Sequence, residues 1–456
     1  MRKLFNVVFL LFLALAIGSQ EKSFGFWAKK AALKPINVQE KVDYVNLCWW
    51  NNFSDPYLKE YVFQAIKHNH DLRQASWKVE EYRQNVKYAF SKELPSLSVG
   101  GNYIGAHFPE TIKGVKNNIF AVPFQANYEA DIFLKNHDKT KSSKKSYEAS
   151  KFEEKSIYIS LATDVSTVYL NIIKFDKQIS LQCQLVAIEN EKLRRETNRF
   201  NRGVVSAAQL NNAKKDYETA KSDLEELIKL RDKSLTQLAV LIGDSPENIC
   251  NLKRQSFDKF DYTAIVPCEI SSDVVFSRPD ILAAEAKLQK ANIDVRVARK
   301  DFLPTISITG LYALSNVGAA SFGSWESTIA AIAAGATLDL FKGGMKFANL
   351  KIYKSRYEQM FESYKQTDLT AIKEVNDSLI MIKQDTVIDN NTIENLNIQK
   401  DSYNRSSNKF KSGVISYPQL LTDKEVVINM EQNQVNTKTN RLIDYLTLYK
   451  AVGGKL

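Results

Sequence analysis

From His137 to Phe200 the chain contains neither proline nor glycine. A stretch of about 64 residues, at ~1.5 Å per residue, makes a helix roughly 95 Å long. Within it Leu161, Val165, Val168, Ile172, Phe175 and Ile179 alternate spacings of four and three, the heptad seam of coiled-coil packing. A helix of that length does not fit inside a compact domain of 456 residues, and it needs neighbours along its whole length. An ordinary globular α+β protein is therefore a poor description of this chain.

The stretch ends in RFNRGVVSAAQL (Arg199 to Leu210), and KFKSGVISYPQL (Lys409 to Leu420) repeats it. Phe200, Gly203, Val204, Ser206, Gln209 and Leu210 return as Phe410, Gly413, Val414, Ser416, Gln419 and Leu420. Glycine inside a helix costs about 1 kcal/mol against alanine, so two such interruptions mark turns. The repetition is wider than this phrase. HDLRQASWKV (His70 to Val79) resembles PDILAAEAKL (Pro279 to Leu288), and KELPSLSVGGNY (Lys92 to Tyr103) aligns with KDFLPTISITGLY (Lys300 to Tyr312). The order of elements is the same in both halves, which predicts a duplicated unit too long for a solenoid repeat.

One unit reads as helix, two strands, and a long helical hairpin. The opening helices are expected over about Asp55 to Glu93, capped by Ser54 or Asp55, and over about Ser272 to Phe302. Pro95 and Pro304 end them. Polar–apolar alternation predicts strands at Pro95 to Ala106, Ile119 to Tyr128 and Thr305 to Leu314, with an alanine-rich fourth at about Ser327 to Leu340. The hairpins pair His137 to Phe200 with Ala207 to Ile242, and Met345 to Lys411 with Tyr417 to Val452. No apolar run after the N-terminus is long enough for a membrane helix, so a membrane-spanning part would have to be made of strands. Four strands cannot close a barrel, for which about eight is the minimum. Several chains must then share one barrel, and three would supply its twelve strands.

The remaining features narrow the function by exclusion. Arg2 and Lys3 precede the apolar run Leu4 to Ile17 and the small residues Gly18 and Ser19, the pattern of a secretory signal peptide. The absence of a cysteine near its end argues against a lipid anchor. The net charge of +10 is spread over helical sequence among acidic residues, without the compact basic patch of a nucleic-acid binder. Cys250 and Cys268 flank a loop-like segment and are the pair open to a disulfide, with free thiols as the alternative. No catalytic, cofactor-binding or metal-binding constellation is expected: GxSxG, the P-loop, HExxH and GxGxxG are all missing.

The duplicated order resembles that of the TolC-type outer-membrane efflux channels, in the NodT-like branch that serves multidrug pumps. WWNNFSDPYLKEYVFQAIKHNHDL (Trp49 to Leu72) is similar to the opening of that branch, and SRPDILAAEAKL (Ser277 to Leu288) to the start of its second half. The two glycine phrases match its helix-hairpin tips. The resemblance implies a mainly α, α+β fold: a homotrimer with a twelve-stranded barrel in outer-membrane lipid, continued by an α-helical coiled-coil barrel through the periplasm. Its partners would be a periplasmic adaptor and an inner-membrane pump of the RND type, and the chain itself a passive gated duct for small amphipathic compounds or drugs. A polypeptide-secretion duct and a non-pore periplasmic scaffold are the rival readings.

In these terms the chain divides into a signal peptide (1–19), an extended periplasmic segment (20–54), a first repeat (55–245), a periplasmic linker (246–271) and a second repeat (272–456). Adaptor docking is expected at Arg202, Gly203, Val204 and Ser206, and at Ser412, Gly413, Val414 and Ser416. The family often carries aspartates near the tip. Here the corresponding positions are Gln209, Asn212, Gln419 and Thr422, with Asp423 one step off. These five are the candidate gate, with amide hydrogen bonds in place of an acidic ring.

Overall fold

The computed structural model describes residues 52–53, 55–105, 118–262, 270–316, 322–325 and 328–454. The expected signal peptide, nearly all of 20–54, and Cys268 with its proposed bond to Cys250 lie outside them. Helix α1 (Pro56–His68) is capped by Asp55, whose Oδ1 accepts from the amides of Tyr57 at 2.7 Å and Leu58 at 3.1 Å. Where one helix was expected, α2 (His70–Ser91) follows after a break, because Asn69 is non-helical with ψ 131°. Its Oδ1 accepts from the Leu72 amide at 2.9 Å and restarts the helix. Its Nδ2 donates to the Leu241 carbonyl at 2.9 Å. Gly243, at φ 73°, lies so close that a Cβ would stand 2.5 Å from the His68 carbonyl oxygen. The break thus docks the first helix pair onto the far end of the first hairpin.

The long helices appear as the sequence predicts. Helix α3 spans Lys135–Asn201 and α4 spans Ala207–Ile242. After two 3-10 turns (Pro246–Asn251 and Phe257–Lys259), the second repeat opens with α5 (Ser272–Phe276) and α6 (Pro279–Lys300), split where Pro279 starts a new helix. It closes with α7 (Met345–Lys411) and α8 (Tyr417–Ala451). Arg278 of the SRPD phrase is buried at the joint: it donates to the Ala451 carbonyl at 2.8 Å and to Glu374 at 2.6 Å, and pairs with Asp280. One guanidinium thereby ties the start of α6, the middle of α7 and the end of α8 around the apolar cluster of Val275, Ile281, Ala371, Val375 and Leu448. Helix α3 holds an apolar window long enough to cross a membrane, but 67% of that window is buried against other helices, which makes it a core helix.

The strands are β1 (Ser96–Val99), β2 (Asn102–Gly105), β3 (Asn118–Ala130), β4 (Thr305–Ser315) and β5 (Thr328–Thr337), all antiparallel. The first expected strand is split at Gly100 and Gly101. Opposite lies Pro123, whose carbonyl accepts from the Gly100 amide at 2.9 Å but whose nitrogen, facing the same edge, has no hydrogen to return. Because β1 and β2 both pair with β3, the five strands fill four positions, in the order β1, β3, β4, β5. One face carries Leu97, Val99, Phe120, Val122, Phe124, Tyr128, Ile308, Tyr312 and Ile332. The other carries Ser96, Ser98, Gln125, Asn127, Ser307 and Thr309. The apolar face is not covered: Leu97 is 76% and Ile332 86% exposed. Among the described residues both edges, at β1–β2 and at β5, are open.

Candidate functional site at the hairpin tips

Both long helices end in the same hydrogen-bonded turn. In the first, the Gly203 amide donates to Phe200 O at 2.8 Å and the Val204 amide to Arg199 O at 2.9 Å; in the second, Gly413 donates to Phe410 O at 2.9 Å and Val414 to Lys409 O at 2.8 Å. This is the Schellman motif, which needs a left-handed residue after the cap. Gly203 and Gly413 supply it at φ 73° and 72°. Arg202 and Ser412 are the capping residues, and Val204 and Val414 project into solvent at 63% and 70% exposure. Ser206 and Ser416 then start the returning helices.

The side chains beyond the turn are used differently. Gln209 closes a reciprocal cap with Ser206: its amide donates to Ser206 Oγ at 3.3 Å, and its Oε1 accepts from the Ser206 amide at 3.1 Å. Gln419 also donates its amide to Ser416 Oγ, at 3.4 Å, but its Nε2 turns to Asp423 Oδ1 at 3.0 Å. Tyr417, where the first tip has alanine, lies under the Arg195 guanidinium at 4.1 Å and beside Phe410 at 5.4 Å between centroids. The aromatic ring fastens the second tip to α3.

Of the five candidate gate residues, Gln209, Asn212 and Thr422 line one groove of about 660 Å³ between α3, α4 and α8. Gln419 and Asp423 bond to each other and are not part of its lining. The groove also contains residues that the sequence reading passed over. Lys192 reaches Glu189 at 2.7 Å and, across to α8, Glu425 at 2.5 Å. Burial by itself would lower the lysine's pKa, but the hydrogen bonds to Glu189 and Glu425 outweigh it and hold the ammonium above the ordinary lysine value. Higher up, Gln432 Nε2 donates to Gln182 Oε1 at 2.9 Å, and Gln178 Nε2 to Asn436 Oδ1 at 2.9 Å. Together with Arg195 over Tyr417 these contacts form a polar ladder joining the first hairpin to the second. A signal for it exists in the sequence. The apolar track from Leu161 to Ile179, continued in the same steps, arrives at Gln182 and Glu189.

The duplicated architecture and its tips match one known family. The model of the family described as outer membrane efflux protein fits residues 62–244 and again 271–454. The chain belongs to the outer membrane efflux protein family. Among its relatives, the cation efflux system protein CusC of Escherichia coli is 24% identical over 422 residues, covering 90% of this chain and 90% of that one. The toluene efflux pump outer membrane protein TtgC of Pseudomonas putida is 25% identical over 421 residues, covering 89% of this chain and 84% of that one. In three dimensions the chain is similar to the CmeC outer membrane channel of Campylobacter jejuni, with a TM-score of 0.81 at 23% identity over 94% of this chain and 90% of that one. This efflux protein is thus the outer-membrane channel component of a tripartite efflux system, located in the outer membrane, and a duct rather than an enzyme.

Proposed function

We propose that three copies of this chain close a twelve-stranded barrel in outer-membrane lipid, and that their helices continue it as a periplasmic tube. The observation that carries this reading is the open sheet of four strand positions with two free edges, since unpaired edges are not tolerated in lipid. In this arrangement the apolar face meets acyl chains and the serine, threonine and amide face lines the duct. The tips at Arg202 to Ser206 and Ser412 to Ser416 are the adaptor sockets, with Val204 and Val414 as exposed apolar knobs. The adaptor connects the duct to an inner-membrane pump, which we take to be of the RND type.

The groove residues Gln209, Asn212 and Thr422, with Gln419 and Asp423, form the periplasmic gate, and the polar ladder from Gln178 to Lys192 holds the hairpins in the closed state. Every rung crosses from α3 to α8, so separating the hairpins must break all of them. The cargo in this reading is a small amphipathic compound or drug; one relative is named for toluene efflux and another for cation efflux. The test is single-channel recording of the purified protein in planar bilayers with and without the substitutions Lys192→Met and Gln182→Leu. The variants are expected to open more often at low voltage. A wild-type preparation that gives no conductance at all would contradict the channel reading.

A further inference from the structure

Where α2 and α3 meet the sheet, a groove of about 540 Å³ lies between them and belongs neither to the tips nor to the ladder. Its walls have a cause in the sequence. Tyr82, Asn85, Ala89 and Lys92 follow one another in steps of three, four and three along α2 and its C-cap, and Asn136, Lys139 and Ser143 keep the same steps at the start of α3. These are the spacings of a helix–helix seam. Filled with leucine and valine the seam would close. Filled with lysines, amides, a serine and an alanine, it stays open. The two lysines are uncommitted. Lys92 lies over the Tyr88 ring at 5.2 Å, and Lys139 donates to Asn136 Oδ1 at 3.3 Å; among the described residues neither forms an ion pair. The second repeat shows the contrast. Lys300, which takes the place of Lys92 in the aligned phrases KELPSLSVGGNY and KDFLPTISITGLY, donates to Asp138 at 2.6 Å and to the Leu134 carbonyl at 3.0 Å. Lys135, one turn before Lys139, is likewise paired, with Asp301 at 2.7 Å.

Although much of the Lys139 side chain is open to the groove, loss of water around its ammonium, and then the charge of Lys135, hold its pKa below the ordinary lysine value. The carboxylate in the lining is Glu129 of β3, so two lysines and one glutamate leave one positive charge uncompensated. The rings of Tyr82 and Tyr88 and the methyl group of Ala89 give the groove its apolar surface, and its volume suits a drug-sized molecule. We propose that this groove binds an amphipathic monoanion, an aromatic body carrying a sulfonate or carboxylate, with Lys92 and Lys139 on the anionic group and the tyrosine rings against the body. Asn85 and Ser143 supply further donors. Glu129 alternates onto the polar sheet face of Gln125 and Asn127, so in the trimer proposed above the groove opens toward the duct and is a way-station for anionic cargo. That location rests on the channel reading; the binding itself does not.

The experiment titrates the full-length protein in detergent with naphthalenesulfonate and, as the uncharged counterpart, naphthalenemethanol, by calorimetry against a protein-free micelle blank. The wild type is expected to bind the sulfonate saturably, with an affinity that falls as salt rises. Lys92→Met with Lys139→Met should weaken binding about tenfold or more. Lys92→Arg with Lys139→Arg keeps the charge and should keep most of the binding. Glu129→Gln should tighten it several-fold, a gain that a misfolded variant cannot produce. Unchanged affinity in the double methionine variant, equal binding of the uncharged counterpart, or no saturable binding by the wild type overturns the proposal. Block of single-channel current by the sulfonate supports the position in the duct, and binding without block contradicts that position. A preparation that binds the sulfonate but conducts no current fails the channel reading and not the binding site.

Discussion

Helices α3 and α7 have the same length, 67 residues each, and hold the same place in the two repeats, yet the chain treats them differently. Helix α3 is buried at intervals from Asn136 to Glu189, with α2, α4, α6 and α8 packed around it. Helix α7 has α6 and α8 beside it and buries Ala371, Val375, Ser378, Ile382, Asp389, Thr392 and Leu396 along one side. Its opposite side is also apolar: Leu369, Ile380, Val387 and Ile398 are 63%, 59%, 51% and 56% exposed. At ~100° per residue these four fall within about 20° of one another around the helix, roughly half a turn away from the buried row. A helix apolar on two opposite faces is a helix with a neighbour on each side. Among the described residues of one copy α3 has both neighbours and α7 lacks one, which is the helical counterpart of the open sheet edges. In the proposed trimer the free faces of helix and sheet would be satisfied together by closing a ring of copies.

The comparison is broken most severely by charging the free face of α7. Ile380→Glu with Val387→Glu is expected to abolish assembly, leaving monomers on native gels of membrane extracts, whereas the same double change on an exposed face of α4 should leave assembly intact. Next in size is the effect at the tips. Gly203→Val with Gly413→Val forces a branched residue into left-handed geometry at about 1–2 kcal/mol per site, although no atom lies within 4 Å of the added Cβ. Efflux, read as drug susceptibility of cells, should fall at least tenfold while assembly persists; unchanged susceptibility would remove the tips from the docking reading. The ladder comes third. Lys192→Met is expected to raise basal conductance a few-fold and, because Glu425 is partly exposed, to cost only about 1 kcal/mol of stability. The smallest effect separates the two tips from each other. Ser206→Ala removes a reciprocal cap and should cost about 1 kcal/mol in denaturant titration. Ser416→Ala removes a one-sided cap at a tip that Tyr417 also fastens, and should cost less.

Much of this was legible before any coordinates. The glycine phrases marked both turns, and the limits of α4 and α7 agree with the expected ones, because a proline-free heptad helix ended by glycine leaves little freedom. Breaks inside elements were less visible. Asn69 looked like one more polar residue in a helix, and its role depends on the Leu241 carbonyl, 172 residues away in sequence. Likewise the split between β1 and β2 follows from Pro123 on the partner strand. At the candidate site the backbone turns could be read from the repeated letters, but their side chains could not. Gln209 and Gln419 occupy equivalent positions, and only the neighbouring Asp423 turns the second one away from its cap. The ladder was missed because its rungs are polar residues on an otherwise apolar seam, and their partners lie in the other repeat. The inequality of α3 and α7 was equally hidden, since both show the same heptad spacing and differ only in what surrounds them.

The claim that the chain is one part of a closed ring is tested most directly by the mass of the assembly released from the outer membrane, measured by native mass spectrometry after detergent removal. A single species at three times the mass of the mature chain is the predicted result. A stable monomer that keeps the exposed stripe of α7 in solvent would contradict it.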